Sequence, residues 1–152
     1  MTKSFNDLIK KLYARFNTLD PFEIAEKCYI ELRYEPFLKS PHGQYVFILN
    51  QKIIIINHDL IDSNEKHFVM SHELYHALMH SELSSYYIQN RISRGKLETE
   101  ANKFAVGLLT NRYVEDYGVY PVSYDELYYL YGIPKVILET YMYVDCKIKL
   151  DK

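Results

Sequence analysis

The segment "FVMSHELYHALMH" sets His72, Glu73 and His76 into a stretch that is otherwise mostly apolar. Burying an unpaired charge or imidazole is costly, so these groups must stay near water or share a partner. At 100° per residue, His72 and His76 fall on one stripe of a helix and Met70, Leu74, Ala77 and Leu78 on the opposite one. The pattern predicts a helix that packs with one face and presents histidines on the other. Imidazoles at i and i+4 can bind one divalent ion together, with Glu73 projecting to the side, within reach of its water. The bland alternative is a chance His-Glu-x-x-His on a solvated helix.

A catalytic zinc needs three protein ligands and one open position, so a second element must supply another donor. The stretch "KLETEANKFAVGLL" does so. On a helix from Lys96 to Thr110, Leu97, Ala101, Phe104 and Leu108 form a core stripe, and Glu98, Asn102, Ala105 and Leu109 an adjoining one. Glu98 is therefore the candidate third ligand, placed beside apolar surface. Glu100 shares its side with Lys96, Lys103 and Gly107 and is expected in water. Asn102, one turn beyond Glu98, can accept from the outer N–H of a ligating histidine. Glu98 could also be an exposed residue paired with Asn102 or a lysine. His80 continues the histidine stripe but lies about 12 Å from His72, too far for one ion to join all three. It reads as a cleft or surface residue, and His42, His58 and His67 as isolated histidines.

The rest of the chain supports one α+β unit of 152 residues, mainly helical, with a small antiparallel sheet on the histidine helix. Apolar residues Phe5, Leu8, Ile9, Leu12, Tyr13 and Phe16 predict a first helix, and Asp20-Pro21 caps a second, within 1–28. The sheet occupies 29–57, with a hairpin of Tyr45 to Leu49 and Lys52 to Ile56 turning at Asn50-Gln51. Four consecutive isoleucines, Ile53 to Ile56, suit a strand covered on both faces. Zinc-site helices follow at 61–80, capped by Asp62 or Ser63, and at 96–110. A helical region at 123–150 opens with the capping box Ser123-x-x-Glu126.

Composition narrows the classes. A net charge of -2 gives no positive field for DNA or anionic lipid, so no direct nucleic-acid partner is expected. The first twenty residues lack the apolar centre of a signal peptide, and no apolar run reaches eighteen residues, which predicts a cytoplasmic protein with no membrane span. Cys28 and Cys146 form no Cys-x-x-Cys pair and are expected to be reduced. The sixteen tyrosines read as half-buried core and boundary residues, with a recognition surface as the alternative.

With "FVMSHELYHALMH", "LETEANKFAVGLL" and the upstream "KIIIIN", the sequence resembles the ImmA/IrrE family of gluzincin-like metallo-endopeptidases of phages and integrative elements. "YGIPKVILE" is similar to the family's C-terminal helical region, and the likeness spans roughly Tyr45 to Tyr141. The resemblance implies Zn²⁺ held by His72, His76 and Glu98, Glu73 as the catalytic glutamate, and a helix-turn-helix repressor as protein substrate, cut to relieve repression. Two departures stand out. Tyr75 replaces a common Gly, and Asn102 replaces a common Asp beside the site. Two rival functions remain: a non-proteolytic zinc-containing module that grips a repressor or other transcription factor, marked by a fourth protein ligand, and a DNA-binding regulator, which no basic helix supports.

Overall fold

The computed structural model describes residues 5–36, 42–80 and 91–141, the side chains of 91–94 excepted. Helix α1 (Phe5–Phe16) buries Ile9, Leu12 and Tyr13 at helical spacing, and Asn17 ends it with a positive φ of 56°. The Oδ1 of Asp20 accepts from Phe22 N at 2.9 Å and starts α2 (Pro21–Lys27), with Pro21 in its first turn. Strands β1 (Glu31–Glu35), β2 (Gly43–Ile48) and β3 (Gln51–Asn57) then form a sheet of order β1-β3-β2.

That sheet is mixed. β2 and β3 make the antiparallel hairpin, whereas β1 runs parallel to β3, with Leu32 opposite Ile54. The expectation of a purely antiparallel sheet is corrected here; parallel pairing joins segments distant in sequence, which alternation within each segment cannot reveal. The hairpin turn also falls one residue earlier than expected. Ile48 pairs with Gln51, so Leu49 and Asn50 form the two-residue loop, with φ of 50° and 63°. Two positive φ values are what a type I′ turn needs, and Leu49 accepts them while 96% exposed.

Helix α3 (Glu65–Met79) lies on β2 and β3. The Ser63 hydroxyl accepts from Glu65 N at 3.1 Å, and Lys52 Nζ, reaching over from β3, donates to Ala77 O at 3.0 Å. Both ends of the histidine helix are thus tied to neighbouring structure. The expected two-faced helix turns out enclosed on most sides: Met70, Leu74 and Ala77 are fully buried, and Tyr75, His76 and Glu73 nearly so. The sheet covers one flank, while α2, the long α4 (Arg91–Tyr117) and α5 (Tyr124–Tyr131) cover others.

Helix α4 extends beyond the expected 96–110 at both ends. Thr110 and Asn111 resemble a polar stop in sequence, yet both are buried, and Asn111 Nδ2 donates to Gly107 O within the helix. The helix continues so that Tyr113 can join a second core with Val106, Leu109, Leu127, Ile133 and Leu138. Gly118, at φ 76°, ends it. Ser123 precedes α5 without a side-chain capping bond; Glu126 instead accepts from Val122 N and Tyr113 OH. Helix α6 (Lys135–Tyr141) closes the described chain, and the rest of the expected 123–150 region lies outside it, as do Cys146, Tyr86, Tyr87 and Tyr143. Cys28 forms no disulfide. Tyrosines divide between core (Tyr13, Tyr45, Tyr75, Tyr113, Tyr131) and surface (Tyr29, Tyr117, Tyr129). No helix among the described residues is long and apolar enough to cross a membrane.

Candidate metal centre

Phe104, Ala101 and Leu108 pack α4 against the same core as Met70, Leu74 and Ala77 of α3. This packing turns the Glu98–Asn102 stripe toward His72 and His76. Glu98 Oε2 lies 2.9 Å from His72 Nε2, and Glu98 Oε1 lies 2.9 Å from His76 Nε2. One ligating atom from each of the three residues falls within 4.8 Å of the others. Zinc bonds of about 2.0–2.2 Å give tetrahedral ligand separations of about 3.3–3.6 Å, so small side-chain rotations suffice to receive an ion.

Two observations test whether the donors suit a cation. The Asn102 carbonyl can only accept, so His72 Nδ1, 2.8 Å from Asn102 Oδ1, must donate to it. That leaves Nε2 as the nitrogen able to offer a lone pair. The buried His76 Nε2 makes no hydrogen bond of acceptable geometry, although Glu98 Oε1 is close. A nitrogen buried beside a carboxylate without a proper bond suits a divalent ion between the two. The donor set fits.

Electrostatics point the same way. Burial pulls the Glu98 carboxyl upward, but the His72 and His76 imidazoles beside it outweigh this through close contact and charge and hold it well below the usual carboxylate range. Burial pulls the His72 imidazole down, whereas Glu98, Glu73 and Asn102 carry it above its ordinary value. Glu73, 8% exposed, behaves differently. Burial raises its carboxyl, against the charges of His72 and His76 and a hydrogen bond from the Tyr45 backbone on β2.

These groups border a cleft of about 740 Å³. Phe68, Val69, His72 and Glu73 come from α3, Glu98 and Asn102 from α4, His42 and Gly43 from the start of β2, and Tyr128 and Tyr129 from α5. Gly43 is required by close approach: a Cβ there would come within 2.4 Å of Val69 Cγ1.

Residues 25–128 match the model of a peptidase family described as the IrrE N-terminal-like domain. The chain belongs to this family. Its members are metal-dependent peptidases, which accords with a His72, His76 and Glu98 cluster able to bind a metal. Among curated proteins it is similar to "Uncharacterized immunity region protein 2" of Bacillus phage phi105, 32% identical over 131 residues, covering 83% of this chain and 81% of that protein. No solved structure matches significantly.

Within this family member, the structure brings His72, Glu73, Glu98 and Asn102 into the lining of the cleft, with the buried His76 beside Glu98. Glu100 departs from expectation: it is half-buried and accepts from Tyr75 OH at 3.3 Å. Tyr75 places its ring 5.1 Å from Phe104 and 5.7 Å from His80. Sequence reasoning missed His42 and Gly43 as cleft residues, and the Tyr45 backbone contact, which has no side-chain signature. It also weighed His80 only against His72. The signal was present in the i,i+4 spacing of His76 and His80, whose Nδ1 atoms lie 3.2 Å apart.

Proposed function

We propose that the chain is a single zinc-dependent endopeptidase domain that hydrolyses a peptide bond in a helix-turn-helix repressor of a phage or mobile element. The observation that carries this reading is the convergence of two imidazoles and a carboxylate beside a buried glutamate, at the wall of an open cleft. Among the described residues this group comprises three ligands, which favours an open catalytic position over a closed structural site. Zinc bound by His72, His76 and Glu98 would lower the pKa of a water and polarise the scissile carbonyl.

The chain's own groups do the rest. Glu73 takes a proton from the attacking water and returns it to the leaving nitrogen; its raised carboxyl pKa suits both tasks. The Tyr45 backbone N–H keeps Glu73 aimed across the cleft. Asn102 holds the His72 ring with Nε2 toward the ligand cluster. β2 is an edge strand beside the cleft, and an extended substrate can add to it by backbone pairing. Prolines introduced along β2 then abolish cleavage without lowering zinc content. The name of the phage relative, an immunity region protein, supports a repressor as the substrate, and the negative net charge supports a protein rather than nucleic acid.

The test incubates zinc-loaded protein, beside Glu73→Gln, with the repressor from its own genetic neighbourhood. Cleavage by the first alone supports the reading. Equal zinc content and tight repressor binding with no cleavage by either would establish the non-proteolytic module instead.

A further inference from the structure

His80 ends α3, and its position is fixed twice over. Its backbone N–H donates to His76 O at 2.8 Å, and its ring stands 5.4 Å from the His76 ring, with Tyr75 packed 5.7 Å away on another side. The two Nδ1 atoms lie 3.2 Å apart, and a hydrogen bond between them needs one donor and one acceptor.

The choice between the two arrangements follows from the far side of the His76 ring. If His80 were the donor, neutral His76 would carry its proton on Nε2, where Glu98 Oε1 is the near acceptor. That pair, although 2.9 Å apart, lacks hydrogen-bond geometry, and Nε2 is otherwise buried without a partner. The opposite arrangement suits an Nε2 that binds a cation, which alone reconciles its lone pair with the Glu98 carboxylate 2.9 Å away. His76 Nδ1–H donates to His80, and Nε2 holds a lone pair.

We propose that His80 is a positioning residue: it accepts the Nδ1 proton of His76 and so fixes the tautomer whose Nε2 faces the ligand cluster. His80 serves His76 as Asn102 serves His72, so each imidazole of the pair is set by its own acceptor, one from the end of α3 and one from α4. The inference rests on the metal-site reading, because a lone pair on Nε2 beside the Glu98 carboxylate is favourable only with a cation between them.

The experiment is therefore twofold. Two-dimensional ¹⁵N–¹H NMR of the zinc-loaded chain reads the exchange rate of the His76 Nδ1–H proton in the parent, His80→Ala, His80→Asn and His80→Phe. Zinc and cobalt titrations read affinity in the same four proteins. A slowly exchanging, hydrogen-bonded His76 Nδ1–H is expected in the parent and in His80→Asn, whose Oδ1 takes the place of the lost Nδ1. It is expected to give way in His80→Ala and in His80→Phe, which keeps the packing against Tyr75 without an acceptor. Metal affinity falls about 10- to 100-fold in Ala and Phe and recovers with Asn. A His76 Nδ1–H that exchanges as fast in the parent as in His80→Phe, or affinity unchanged in His80→Phe, overturns the proposal. A parent that binds neither metal overturns the metal-site reading, and the proposal with it.

Discussion

Replacing Gly43 by alanine puts a methyl group where the first residue of β2 meets α3. The new Cβ lies 2.4 Å from Val69 Cγ1, 3.3 Å from Ile55 O and 3.4 Å from Glu73 Cγ. Carbon atoms pack best at about 3.5–4.0 Å, so the overlap with Val69 exceeds about 1 Å. Val69 cannot readily turn away, because a β-branched residue in a helix has one strongly preferred rotamer. The strand must retreat, and overpacking of this kind costs about 1–3 kcal/mol. Removing the obstacle tests the cause. Val69→Ala alone strips half-buried methyl groups and costs on the order of 1 kcal/mol, but in the double variant it restores space for the new Cβ. Urea unfolding of parent, both single variants and the double variant gives the coupling, expected to favour the pair by about 1–2 kcal/mol. A stabilised Gly43→Ala chain, as unfolded-state entropy alone would give, or strictly additive effects, would refute the close approach of β2 to the histidine helix.

Two further outcomes follow from the same structure. Leu49→Asn relieves a left-handed conformation that leucine adopts poorly, so the urea midpoint rises with a gain of about 0.5–1 kcal/mol; a loss would place the turn elsewhere. Burial, with Arg112 beside it, lowers His67 to about 4 from its ordinary 6.5, so between those values the unfolded chain binds a proton that the native one excludes. Its stabilising contribution is full above pH 6.5 and is lost as pH falls toward 4; unfolding at pH 7.5 and 5 should therefore differ more in the parent than in His67→Gln, and equal differences would contradict this.

What the sequence made legible were features encoded locally. The 3.6-residue period of α1, the Asp20 cap and the pairing of His72 with His76 depend on neighbours within one or two turns. The approach of Glu98 and Asn102 was also readable, because the apolar stripe of α4 fixes which side turns toward α3. What escaped depended on distant partners. The parallel pairing of β1 is set by how the chain returns to β3, and Leu49 occupies a turn position that its own propensity opposes. Thr110 and Asn111 remain helical because a second core needs Tyr113 beyond them. α3 is wrapped on most sides because the sheet, α2, α4 and α5 all pack on it, an arrangement that a two-faced helical pattern does not announce.

The most direct test of the metal centre is X-ray absorption at the zinc edge on protein loaded with one equivalent of Zn²⁺, beside Glu98→Ala. Two imidazole nitrogens and a carboxylate at about 2.0–2.2 Å, with solvent completing the shell and the carboxylate contribution lost in the variant, are the predicted result. A sulfur ligand, or a spectrum indifferent to Glu98, would contradict it.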